Sequence, residues 1–215
     1  MNLIEEMERE NWSSEYDKEV VKLTSAFPDL KSLKDEDYCY INHFALKHTN
    51  EGDYILDVGC GIGLLCNLLK KYNRKPVGID VSTLAVETAK NNVEGVAFNQ
   101  MYCEQLDYQG GLFDCVTCTE VIEHLKEPGV AIGEMLRVLK PRGKLIITTP
   151  IGKNFDCDGK SKHLHYWDLY KLMDLFDSFK GIYKIYYLNK FKQFNEEVDE
   201  PEPKNIFGIV FVKGG

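Results

Sequence analysis

Residues 54–63 read Tyr54-Ile55-Leu56-Asp57-Val58-Gly59-Cys60-Gly61-Ile62-Gly63, an apolar run ending in three glycines at alternate positions. The run predicts a strand. The missing side chains of the bend after it let backbone and amide groups approach a ligand closely. Leu65, Leu68, Leu69 and Tyr72 then recur at helical spacing. Strand, glycine bend and helix open a parallel α/β sheet whose ligand sits at the strand's carboxyl end. A dinucleotide loop needs its third glycine at position 64, where Leu64 stands. Asp57, two residues before the first glycine, would repel a pyrophosphate and suits a ligand with an amino group and a sulfonium. The ligand is expected to be cationic.

The alternation of strands and helices continues downstream. Pro76–Asp80 predicts strand two, with Ser82 placed to cap a helix running to about Asn91. Val96–Tyr102 and Phe113–Thr119 predict strands three and four, and a helix enters at Pro128 and stops before Pro141. Lys144–Thr149 predicts strand five, and Leu169, Leu172, Met173 and Phe176 mark a further helix. Tyr183–Leu188 and Ile206–Val212 read as closing strands. Residues 1–50 are patchily amphipathic, with Phe27-Pro28-Asp29 separating helical stretches at Glu5–Ser25 and Asp35–Lys47. They are expected to form an N-terminal helical cap on a domain spanning 51–215, the two making one compact unit.

At 215 residues and 44% hydrophobic content the chain can bury one good core. Its 34 acidic residues outnumber 26 basic ones, a net charge of -8, so no positive field holds a long nucleic acid. The opening Met1–Glu8 is acidic, and no apolar run approaches the ~18 residues of a membrane span. A cytoplasmic protein is expected, with no membrane partner. Its oligomeric state is not legible. Seven cysteines, at 39, 60, 66, 103, 115, 118 and 157, read as free thiols in a reducing compartment. Cys115 and Cys118 lie in a strand, where positions three apart face opposite sides, so they read as small buried hydrophobes rather than a metal or redox pair. Asn195–Pro203 reads as an acidic solvated loop. Lys153, Lys160 and Lys162 give the 151–165 loop a slight positive bias against Asp156 and Asp158.

Thr119-Glu120-Val121-Ile122-Glu123-His124-Leu125 follows strand four. In a helical turn starting near Thr119, Glu120, Glu123 and His124 stand at i, i+3 and i+4 on one face, anchored by Val121, Ile122 and Leu125. His163 and His165 follow strand five, so their loop can return across the same mouth of the sheet. Such a set can hold a divalent cation. Without one, His124, His163 or His165 can serve as general base.

Ile55–Gly63 resembles the first motif of class I S-adenosylmethionine-dependent methyltransferases, and the resemblance covers roughly residues 52–212. It implies a Rossmann-like, mostly parallel seven-stranded sheet of order 3-2-1-4-5-7-6, strand seven antiparallel, with helices on both faces. It implies S-adenosylmethionine as cofactor. Asp80 would bind the ribose hydroxyls, and Cys103 and Glu104 would lie near the adenine. Asp57, Gly59, Cys60, Gly61, Gly63, Val81 and Thr119 complete the cofactor set. The stretch after strand four resembles ubiquinone-biosynthesis O-methyltransferases of the type 11 group. It is also similar to small-RNA 3'-terminal 2'-O-methyltransferases. That likeness implies Glu120, Glu123, His124 and His163 as ligands of Mg or Mn, and His124, Glu123 and His165 as catalytic residues. The implied activity is methylation of a hydroxyl oxygen on a small molecule, with nitrogen left open. The alternatives are a metal-dependent RNA 3'-terminal 2'-O-methyltransferase and a catalytically silent S-adenosylmethionine-binding scaffold.

Overall fold

The computed structural model describes residues 16–152, 163–189, 192–195 and 206–215. The expected helix start at Glu5, the lysines and aspartates of the 151–165 loop, Cys157 and nearly all of the acidic 195–203 stretch lie outside them. β1 (Tyr54–Val58) is buried from Ile55 onward, and its period of two sorts the core. Ile55 packs with Phe44, Leu65, Cys115 and Ile146 on one face. Leu56 and Val58 join Val116, Cys118, Leu145 and Ile147 on the other. Cys115 and Cys118 therefore fall into different clusters, both fully buried, as expected of small hydrophobes.

Parallel strands β2 (Lys75–Asp80), β3 (Ala97–Gln100), β4 (Phe113–Thr119) and β5 (Leu139–Pro150) extend the sheet from β1. Beyond β5 come β6 (Gly181–Asn189), β7 (Lys192–Asn195) and β8 (Ile206–Lys213), giving the order β3-β2-β1-β4-β5-β8-β6-β7. β8 runs antiparallel to both β5 and β6, so it fills the place of the expected strand seven, and the short β7 adds a hairpin at the edge. Helices α3 (Leu64–Lys71) and α4 (Thr83–Asn92) bury their apolar residues on one face of the sheet. On the other, α5 (Pro128–Val138) and α6 (Leu169–Asp177) bury Ile132, Met135, Leu172 and Phe176.

Three of the differences from expectation have local reasons. β5 opens at Leu139 rather than Lys144, because Leu139 is buried and pairs with Phe113 before the register shifts. β3 ends at Gln100 rather than Tyr102, where the chain turns and Gln105 N donates to Tyr102 O at 3.2 Å. The stretch Asp35–Lys47 is not one helix: a 3-10 turn at Asp35–Asp37 is followed by extended Tyr38 and then α2 (Tyr40–His48). Tyr38 breaks the ladder because it is buried and its hydroxyl accepts from Asn67 Nδ2 at 2.7 Å. Residues 16–26 form α1, whose Val20 is buried beside Cys60, Ile62 and Cys66.

Candidate active site

The carboxyl ends of β1, β2, β4 and β5 meet at one rim. Gly59, Gly61 and Gly63 all adopt positive φ, 73°, 52° and 89°, the left-handed region that favours glycine. The amides expected to face a ligand are mostly turned inward instead. Gly59 N and Cys60 N both donate to Ile79 O at 2.9 Å, Gly63 N donates to Cys60 O at 3.0 Å, and Gly61 N donates to Asp80 Oδ2 at 2.9 Å. With these donors spent on the protein, the bend is not an anion nest.

Two buried carboxylates lie beneath it. Asp57, 1% exposed, accepts from Thr117 Oγ1 at 2.8 Å and from Cys66 Sγ at 3.4 Å. Burial, reinforced by Asp80, pushes its carboxyl up to about 6. Asp80 takes Gly61 N on one oxygen and Ser82 N on the other, each at 2.9 Å, and burial raises its pKa as well. Among the described residues neither has an ion-pair partner. A cationic ligand fits such a site and a phosphate does not.

α1 lies in the stretch expected to cap the domain, and it brings to this pair two residues that the sequence did not single out, Tyr16 and Asp17. Ser82 Oγ donates to Asp17 Oδ1 at 2.5 Å while capping α4 through Ala85 N at 3.0 Å. The Tyr16 hydroxyl oxygen lies 3.4 Å from where a Cβ on Gly61 would stand. Burial, then Asp80, Cys60, Asp17 and Asp57, hold that phenol protonated by raising its pKa. At the end of β3, Gln100 Nε2 donates to Val81 O at 3.0 Å. Cys103 is buried, and its thiol lies 3.5 Å from Glu104 Oε2.

The stretch after β4 does not form the α-helical turn expected near Thr119. Glu120 takes φ of +57° and Ile122–His124 form a 3-10 turn. Glu120 Oε1 accepts from Thr148 Oγ1 at 2.9 Å. Glu123, fully buried, accepts from Thr149 Oγ1 at 3.0 Å. Burial pushes the Glu120 carboxyl up to about 7, and burial together with Glu120 raises Glu123 well above the carboxylate range. Ligand atoms of Glu123, His124 and His163 all lie within 4.8 Å of one another. His124 Nε2 stands 3.9 Å from Glu123 Oε1, and the His124 and His163 rings are 4.9 Å apart, edge to face. His165 is turned elsewhere: its Nε2 is 2.8 Å from Leu125 O. Thr119 ends β4, half-buried.

The two halves of the site touch. A Cβ on Gly59 would stand 2.3 Å from Val121 Cγ2. Gly59→Ala is therefore expected to destabilise the fold by about 2 kcal/mol, from the clash and the left-handed φ together. Adding Val121→Ala should recover only the clash. Urea denaturation measures both, and an unchanged midpoint in the single variant would contradict the contact.

A family model described as a methyltransferase domain matches residues 32–182. The chain belongs to this methyltransferase family. The ubiquinone biosynthesis O-methyltransferase of Coxiella burnetii is 36% identical over 124 residues, 54% of this chain and 53% of that protein. The protein of the same name from Alkalilimnicola ehrlichii is 40% identical over 105 residues, 46% of this chain and 42% of that one. The chain thus spans about half the length of the curated relatives it matches. The YcgJ protein from Bacillus subtilis shares the fold, with a TM-score of 0.68 at 18% identity over 82% of this chain and 99% of that one. The methyltransferase family's cofactor is S-adenosylmethionine. The glycine bend, with its amides turned away and two buried carboxylates below that have no ion-pair partner among the described residues, fits that sulfonium nucleoside. Among the described residues, no helix is long and apolar enough to cross a membrane.

Proposed function

We propose that this chain transfers the methyl group of S-adenosylmethionine to a hydroxyl oxygen of a small molecule, with residues 1–50 capping a catalytic unit at 51–215. The observation that carries this reading is the meeting of Glu123, His124 and His163 at the rim that also bears the carboxylates of Asp57 and Asp80. Support for oxygen as the acceptor comes from relatives named as O-methyltransferases. Bound S-adenosylmethionine supplies an electrophilic methyl group. The protein's task is then to align the acceptor with it and to remove the hydroxyl proton. His124, half-buried and beside Glu123, is placed to take that proton as a neutral imidazole. Asp80 and Asp57 hold the nucleoside and the charged amino-acid end, with Val81, Cys103, Glu104 and Thr119 bordering it.

A second reading of the same three side chains follows from their 4.8 Å grouping. They can hold a divalent cation, Mg or Mn, which would lower the pKa of a bound hydroxyl. Glu120 adds a second carboxylate whose repulsion of Glu123 a cation would relieve. One experiment separates the readings: transfer of labelled methyl into fractionated small molecules, with and without a chelator. Label in that fraction is the expected result, and its absence overturns the proposal. Transfer that persists with chelator assigns His124 as base. Transfer that stops, and returns on adding Mg or Mn, assigns the three side chains to the metal.

A further inference from the structure

The turn that carries Glu123 and His124 is poorly supported by its own sequence. It is three residues of 3-10 helix, its N-terminus lacks a side-chain cap, and it is preceded by left-handed Glu120. Such turns have weak internal hydrogen bonds, and a non-glycine residue at positive φ persists only where surrounding structure holds it. The restraint comes from the segment after β5. Leu164 N and His165 N both donate to the Glu123 carbonyl, at 2.8 and 3.0 Å, which uses both lone pairs of that oxygen. His165 Nε2 then reaches Leu125 O at 2.8 Å, just past the other end of the turn.

A carbonyl can only accept, so the His165 Nε2 carries a proton and donates it to Leu125. The ring is also stacked on Trp167, at 5.2 Å between centroids and 24° between planes. Trp167 is buried and anchored to the end of β5, pairing with Ile151 and accepting from Gly152 N at 2.8 Å. Among the described residues its indole Nε1 has no acceptor. The indole of Trp167 thus meets His165 through its face rather than through its N–H. The chain runs from sheet to Trp167, to His165, to the turn, and the same segment brings His163 against His124.

We propose that residues 163–167 clamp the Glu123 turn and that His165 is a positioning residue, acting through Leu125 O, rather than the acceptor of the substrate proton. The proposal rests on the methyl-transfer reading for its kinetic test only. Its structural test stands alone.

Two variants decide it. Gln carries an amide N–H at about the reach of imidazole Nε2 but cannot accept a proton as a base. His165→Ala is expected to lower kcat about tenfold or more, as misplaced catalytic groups do, with the affinity for S-adenosylmethionine unchanged. His165→Gln should restore most of the turnover with the wild-type pH profile. In hydrogen exchange followed by mass spectrometry, the peptide containing Leu164 and His165 should exchange faster in His165→Ala than in wild type or His165→Gln, with the Gly59–Gly63 peptide unaffected. A Gln variant as impaired as the Ala variant would move proton transfer onto His165 and overturn the proposal. Unchanged exchange at Leu164 in the Ala variant would overturn the clamp. Should no acceptor be methylated by the wild-type chain, the functional reading fails while the exchange comparison still decides the clamp.

Discussion

Asp80→Ala is expected to weaken S-adenosylmethionine binding on the order of a thousandfold while leaving the fold intact. The carboxylate does two things at once. Inside the protein it fixes the bend and the start of α4, through Gly61 N and Ser82 N. An ionised carboxylate offers about four acceptor sites, and those the backbone leaves open can take ribose hydroxyls. Hydrogen bonds to a charged group contribute about 1.5–3 kcal/mol each, and the loss of two, with a loosened Gly61, reaches the ~4 kcal/mol of a thousandfold change. The fold has less at stake. Asp80 is a buried acid whose pKa burial has raised, so its removal relieves a desolvation cost even as it frees two amides. Calorimetric titration should show the lost affinity and thermal melting a near-native Tm. Wild-type affinity in the variant would exclude Asp80 from the ribose site.

The parts of this site legible in the sequence are those whose geometry is local. Asp57, Gly59, Gly61 and Gly63 fall within seven residues, and a strand followed by glycines admits few backbone paths. Asp80 follows from the parallel strand beside it, since adjacent carboxyl ends meet at one rim. What escaped was set by distant contacts. Tyr16 and Asp17 lie in an amphipathic helix like any other, and only the packing of α1 brings them to Gly61 and Ser82. Thr117, Thr148 and Thr149 read as ordinary strand residues because threonine is a good β former, yet each is fully buried and donates to a carboxylate of the candidate site. The helical spacing of Glu120, Glu123 and His124 is genuine in the sequence. It is overruled because Glu120 N donates to Thr148 O at 3.0 Å, carrying strand-like bonding one residue past β4 and forcing the turn that follows to be tight.

Asp57 shows what burying a carboxylate at such a site costs. Its folded pKa of about 6 stands above the ordinary value of 3.8, so the folded state prefers the neutral acid. The associated stability is fully present below pH 3.8 and is lost as the pH rises through about 6. By linkage, the buried charge costs about 3 kcal/mol at pH 8. Asp57→Asn removes that charge. The amide it introduces can satisfy the same neighbours, because the Thr117 hydroxyl can turn to Leu56 O, already 3.4 Å away. The substitution should therefore raise the Tm of the ligand-free protein at pH 8 by roughly 6–12 °C, at about 2–4 °C per kcal/mol for a chain of this size. The gain should be smaller at pH 4.5 and level off above about pH 7. The same change takes away the charge proposed to face the cationic cofactor, so the stabilised variant should bind S-adenosylmethionine more weakly. In the wild type, binding should weaken as the pH falls below about 6, with proton release detectable as a buffer-dependent heat. Melting curves across pH, on both proteins without ligand, read the sign directly. A Tm difference that stays flat from pH 4.5 to 8 would show that Asp57 is not held neutral by burial, and the account of a carboxylate waiting for a cation would fail with it.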